Sequence, residues 1–222
     1  MWFRSSRLSI EQLDEPLPRE ELLRRARVVV LDDEAPEMLQ DLRGQGLSIT
    51  HLRSTEDPQF QTVADGAYDL LLLDYGGIGL RFGPDEGLDV LRHLNRVNPS
   101  LRILAFTGRT FDASKADFFR LCDAVLKKDA GIRETMEALE SHLSEVLTAK
   151  YQFDALVNVL SLSGEPRRQL EAAFSKAISQ KRRDCALDMT RRFAKGASAK
   201  LLEAIVTKAF QLSLASIGKD SS

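Results

Sequence analysis

The chain has 222 residues, 43% apolar and 29% charged, which is ordinary globular composition. No apolar run approaches the roughly 20 residues that span a bilayer, and two cysteines, Cys122 and Cys185, are too few for a disulfide framework, which argues against membrane-spanning and disulfide-stapled classes. Net charge is −2, but residues 1–150 carry 19 Lys/Arg against 26 Asp/Glu and residues 151–222 carry 12 against 7, so an acidic front precedes a basic tail. The first residues, MWFRSSRLSIEQ, turn polar after three positions, unlike a signal peptide, and a cytoplasmic, reducing location is expected.

Residues 1–26 read as an N-terminal extension, broken by Pro16 and Pro18 and closed by a short helix over about 18–25. RVVVLDDE is a buried strand over 27–32 ending in two carboxylates. Pro36 suits the first turn of a helix running to about 43, with Gly44 and Gly46 as stop signals. LSITHLR (47–53) alternates as a strand does, and a short helix over 57–66 ends at Gly66. In YDLLLLDYGG (68–77) four consecutive leucines cannot be one face of anything, so the spacing predicts a strand buried on both sides that ends on Asp74. A glycine-rich loop, YGGIGLRFGPDE (75–86), leads to a helix over 87–97 with Leu88, Leu91 and Leu94 on one face. A fourth strand over 101–107, a helix over 112–121 and a fifth strand over 123–128 complete the alternation, which predicts an α/β fold with a parallel sheet covered on both faces.

From Gly131 to Ser213 the chain reads as helix. Ile132, Met136, Leu139, Leu143, Val146, Lys150, Phe153, Val157 and Leu160 recur alternately every four and three residues, a heptad seam interrupted once by Lys150. The seam predicts one long helix over 130–162 that packs first on the sheet and then on a partner helix; the alternative is two shorter helices broken near 149–151. Further helices over 165–180, 183–194 and 198–215 make an all-α C-terminal bundle. The expected divisions are 1–26, 27–149 and 150–222.

In an open parallel sheet the functional site lies beyond the carboxyl ends of the strands. Asp32 and Asp33, Asp74, Thr107 with Gly108, and Lys128 occupy those ends here. Three adjacent carboxylates repel one another and suit a hard divalent cation; Mg²⁺ needs only one or two of them together with waters and phosphate oxygens. Lys128 and the Thr107 hydroxyl can bind the remaining oxygens of a phosphoryl group, and Asp74 can serve as its nucleophile. Singly, each residue has a structural explanation in turns, caps or β-propensity; their order and spacing are what carry the reading.

Residues 27–149 resemble the receiver domain of two-component response regulators, through VVVLDDE, LLLLD, AFTG and VLKKD in that order, with 41, 33 and 21 residues separating Asp33, Asp74, Thr107 and Lys128. The resemblance implies a flavodoxin-like (βα)5 doubly wound parallel sheet with Asp74 as phosphoacceptor. It also implies Mg²⁺ held by Asp33, Asp74 and the backbone carbonyl of Gly76, with Asp32 through water, and Thr107 and Lys128 as phosphoryl ligands. The implied partner is a histidine kinase or phosphotransfer protein. The resemblance further implies a phosphoacceptor able to phosphorylate itself from small phosphodonors and to dephosphorylate itself; no second catalytic constellation suggests a conventional enzyme. Two departures stand out. The loop after Asp74 is about five residues longer than is common in the family and lacks its Met-Pro, and Val125 stands where many receivers carry an aromatic.

The expected function is therefore a phosphorylation-controlled switch of protein contacts. Its output would be homodimerisation through the helix over 130–162, or capture of a protein effector by the C-terminal helices. A DNA-binding regulator and a non-phosphorylated pseudo-receiver adaptor are the alternatives. The basic runs KRRD (181–184) and RRFAK (191–195) support the first, but the last helix is too apolar for a recognition helix; the altered loop supports the second.

Overall fold

Short runs of Val, Ile and Leu separated by helices build a five-stranded, all-parallel sheet in the computed structural model, which describes residues 10, 13–108 and 115–219. The described residues divide into two compact units, one spanning Pro18–Val146 and the other joining the residues up to Leu17 with those from Leu147 onward. The stretch 1–26 is thus shared between them.

The first unit begins with α1 (Arg19–Arg25), followed by β1 (Arg27–Leu31), α2 (Met38–Gly44), β2 (Ser48–Leu52), α3 (Phe60–Ala64), β3 (Leu70–Leu73) and α4 (Gly87–Val97). β4 (Arg102–Thr107), α5 (Ala116–Leu121), β5 (Ala124–Lys127) and α6 (Ile132–Val146) complete it. The start expected for the helix over 112–121 lies outside the described residues. Strand order is β2-β1-β3-β4-β5, the flavodoxin-like doubly wound arrangement. β3 sits at the centre, with all four leucines 0% exposed. Burying each contributes about 1.5–3 kcal/mol, which ties this strand to the middle of the sheet. On one face Val29, Leu71 and Ile103 pack with Phe60, Leu91, Leu94 and Phe118. Arg19 of α1 forms a forked ion pair with Glu140 of α6, its shortest bond 2.7 Å.

The second unit contains α7 (Ala149–Val159), α8 (Gly164–Ser179), α9 (Asp184–Phe193) and α10 (Ala199–Lys219). The apolar last helix is core material, with Leu201, Leu202, Ile205, Val206 and Ala209 buried. Leu13 and Leu17 are buried as well, and the Leu13 carbonyl accepts a bond from the Lys150 N–H at 3.4 Å.

The single helix expected over 130–162 is two helices. Thr148 leaves helical geometry (φ −111°, ψ 150°), and its hydroxyl accepts from the Tyr151 N–H, capping α7. Most apolar residues of the heptad seam are buried within the chain, while Ile132 at its start is 37% exposed. Met136, Leu139, Leu143 and Val146 are buried, and in α7 Phe153 and Val157 are buried, with Phe153 stacked edge-on against Phe174 at 5.3 Å. Lys150, the interruption in the seam, pairs with Asp154 at 2.7 Å, and Arg167 holds the other oxygen of that carboxylate at 3.0 Å. Among the described residues no helix is long and apolar enough to cross a membrane.

Candidate functional site

Asp32, Asp74 and Lys128 stand just past the carboxyl ends of their strands, and sheet hydrogen bonding extends far enough to hold them there. The Asp32 N–H donates to the Leu52 carbonyl at 3.1 Å, the Asp74 N–H to Leu31 at 3.0 Å and the Lys128 N–H to Thr107 at 2.9 Å. Their positions are therefore set by register rather than by loop conformation, which is what rigid placement of reacting groups requires.

Asp32, Asp33 and Asp74 converge, each offering a carboxylate oxygen within 4.8 Å of the others. Asp32 is fully buried, Asp74 is half-buried and Asp33 faces solvent, so the group runs from the interior to the surface. Lys128 spans two of the three, with its Nζ 2.7 Å from Asp32 Oδ2 and 3.0 Å from Asp74 Oδ2. The ammonium thus pairs with both carboxylates and donates a hydrogen bond to Asp74. The second oxygen of Asp74 accepts from the Tyr75 N–H at 2.8 Å, and Asp32 Oδ1 accepts from the Glu34 N–H at 3.1 Å.

The electrostatics follow from this placement. Burial pushes the Asp32 carboxyl above the usual carboxylate range, Lys128 pulls it back, and the charge on Asp74 adds to the rise. Burial alone would lower the Lys128 ammonium, but its bonds to Asp32 and Asp74 outweigh that and hold it above the ordinary lysine range. Among the described residues three carboxylates meet one ammonium, and clustered carboxylate oxygens of this kind suit a hard divalent cation. The donor set fits Mg²⁺.

Thr107 ends β4 half-buried, opposite Lys127 in the β4–β5 register, and a Cβ on Gly108 would meet the Lys128 stem, 3.7 Å from its Cδ. Gly76 is half-buried two residues past Asp74. The long loop has a settled path. Ile78 enters the core, Phe82 packs on Phe60 at 5.6 Å and on His93 at 4.7 Å, and the Arg81 guanidinium lies over both phenylalanine rings. Val125 is 51% exposed on the edge strand.

Two residues at the site were not expected from the sequence. The His51 ring nitrogen Nε2 lies 2.8 Å from the Asp32 carbonyl; the pairing of β1 with β2 brings it there, and an isolated histidine carries no signal of that. Glu86 turns back across the loop so that its Oε2 accepts from the Gly77 N–H at 2.9 Å. Its only hint in sequence is its place at the start of a helix, in Pro-Asp-Glu-Gly.

No family model matches the chain, and no curated protein matches it in sequence. Solved structures do show likeness. A two-component response regulator from Clostridium difficile is 17% identical, with 54% of this chain and 96% of that one covered at a TM-score of 0.45. A CheY-like receiver domain protein from Methanospirillum hungatei is also 17% identical, with 55% and 95% covered at 0.45. A response regulator from Thermotoga maritima, in complex with Mg²⁺ and BeF, is 22% identical, with 53% and 98% covered at 0.44. The flavodoxin-like fold stands on the strand order and all-parallel pairing of this chain itself.

Proposed function

We propose that this chain is a response regulator in which Asp74 accepts a phosphoryl group from a histidine kinase or phosphotransfer protein. The observation that carries this reading is Lys128 bridging the buried Asp32 and the half-buried Asp74 at the edge of the sheet. In the step, an Asp74 oxygen attacks phosphorus, the P–N bond of a phosphohistidine breaks, and the imidazole leaves with the electron pair. Lys128 is poised to shift from Asp74 to a phosphoryl oxygen, and the Thr107 hydroxyl stands one strand away for another. Asp33, Asp74 and the Gly76 carbonyl would hold Mg²⁺, with Asp32 acting through water. When bound, the ion supplies charge neutralisation between the carboxylates and the incoming phosphoryl group.

The output is a protein contact made by the C-terminal helical unit, a reading supported by the burial of most of the heptad seam. The route is covalent: α6 ends at Val146, and the helical unit begins at Leu147. The test is native mass spectrometry with beryllofluoride and Mg²⁺, comparing wild type with Asp74→Ala. An adduct on wild type alone supports the reading, and unchanged oligomeric state with the adduct points to a partner contact. Absence of an adduct on wild type leaves only the adaptor function.

A further inference from the structure

Glu86 holds a backbone conformation that glycine would adopt at lower cost. Its φ of 47° and ψ of −117° lie close to the first central position of a type II′ turn, a glycine position. A non-glycine residue held there by its surroundings points to a use for its side chain. The next residue, Gly87, lies against the phosphoacceptor's own backbone: a Cβ there would come within 2.6 Å of the Asp74 carbonyl and 2.8 Å of the Tyr75 Cα. The Gly87 N–H donates to the Tyr75 carbonyl at 3.0 Å, so the two ends of the long loop are pinned together. From this anchor the Glu86 carboxylate reaches back to the Gly77 N–H, and it lies 3.8 Å from the position a Cβ on Gly76 would take. Gly77 in turn is pressed on Asp33 so closely that a Cβ would overlap the Asp33 carboxylate, and its φ is +73°. Among the described residues, the convergent carboxylate group contains Asp32, Asp33 and Asp74 and not Glu86. The action of Glu86 is therefore on the backbone and not as a fourth ligand.

We infer that Glu86 is a positioning residue whose carboxylate clasps the Gly76–Gly77 segment and fixes the backbone that this loop contributes to the cation site beside Asp33 and Asp74. The clasp itself is independent of the phosphoacceptor reading; its consequence for the cation rests on it. The clasp takes the place of the shorter connection expected after Asp74, since a loop of this length needs a second tether to keep Gly76 where a two-residue step from the strand leaves it.

The test uses the full-length chain and three variants, Glu86→Gln, Glu86→Ala and Glu86→Gly. Amide hydrogen exchange of Gly77 is read by NMR without divalent cation, and Mg²⁺ binding is titrated separately by calorimetry. Losing a hydrogen bond to a charged acceptor predicts roughly tenfold faster Gly77 exchange in the Ala and Gly variants, with Mg²⁺ affinity about five- to tenfold weaker. Glu86→Gln keeps both within about threefold, because its side-chain oxygen accepts the same bond. Glu86→Gly also relieves the backbone, so its melting temperature holds while its cation affinity falls, which separates lost positioning from general damage. Wild-type exchange at Gly77 in the Ala variant overturns the clasp. Faster exchange with unchanged Mg²⁺ affinity, or a Gln variant as impaired as Ala, overturns the positioning role. A wild type that takes up no Mg²⁺ overturns the phosphoacceptor reading and the cation half of this inference, while Gly77 exchange still decides whether the clasp exists.

Discussion

Replacing Lys128 by alanine removes the only cation that, among the described residues, pairs with the Asp32 carboxylate, which is 0% exposed. Breaking a buried ion pair by deleting one partner costs about 3–5 kcal/mol, because the other charge stays behind without compensation. The Lys128 side chain is 22% exposed and that of Asp74 18%, so water reaches part of the gap. The expected loss is therefore nearer 2–3 kcal/mol, a fall of roughly 10 °C in the melting temperature of a unit this size. The pH dependence has a definite sign. The Asp32 carboxyl already sits above its usual range through burial, and without Lys128 it rises further. A carboxyl raised on folding binds its proton more tightly in the native state, so stability is retained below the unfolded value and lost as pH rises through the folded one. The deficit of Lys128→Ala should be largest at pH 7 and shrink toward pH 4. Adding Asp32→Asn to the variant should recover most of it, and millimolar Mg²⁺ should raise its melting temperature more than that of wild type. Calorimetric melts of wild type, Lys128→Ala and the double variant across pH check this. A Lys128→Ala melting temperature within 2 °C of wild type at pH 7 without divalent cation, or a deficit independent of pH, would refute the electrostatic account.

Two further outcomes follow from local structure. Burial, with Asp123 adding to it, pushes the Cys122 thiol up to about 12 from an ordinary 9.0, so at pH 8 its thiolate fraction is about a thousandfold below that of a free cysteine. Iodoacetamide should label Cys122 in the native chain only at the rate of local opening, and readily after denaturation, as peptide mass spectrometry would read. Because that thiol is raised on folding, wild type should lose stability as pH climbs from 9 toward 12, and Cys122→Ala should lose less. Thr148→Ala deletes the cap that starts α7 and should cost about 1 kcal/mol in chemical denaturation, whereas Thr148→Ser, which keeps the hydroxyl, should cost less than half of that.

Four leucines in succession and a strand-helix alternation sufficed to place β3 in the middle of a parallel sheet, because a strand apolar on both sides has nowhere else to go. The same logic put Asp32, Asp33, Asp74, Thr107 and Lys128 at strand ends, and in a parallel sheet all such ends lie on one edge. The hydrophobic period failed where something it does not register decides the outcome. The heptad period through Lys150 suits one long helix, yet the Thr148 hydroxyl satisfies an orphan N–H and starts a second one, and period alone cannot register a single side-chain cap. Most of the seam's apolar residues are buried, a matter of which helices come together and not of their spacing.

What the sequence by itself determined is the fold of the sheet unit and the roster of charged groups at its edge, since both follow from burial period and strand direction. What only the tertiary structure decided is how those groups share charge and what holds the loop beside them. Lys128 pairs with Asp32 as well as Asp74, and Glu86 crosses nine positions to grasp the Gly77 N–H. Hydrogen bonds and ion pairs depend on distances of about 3 Å between atoms remote in the chain. No pattern along one sequence encodes those distances until the backbone has closed.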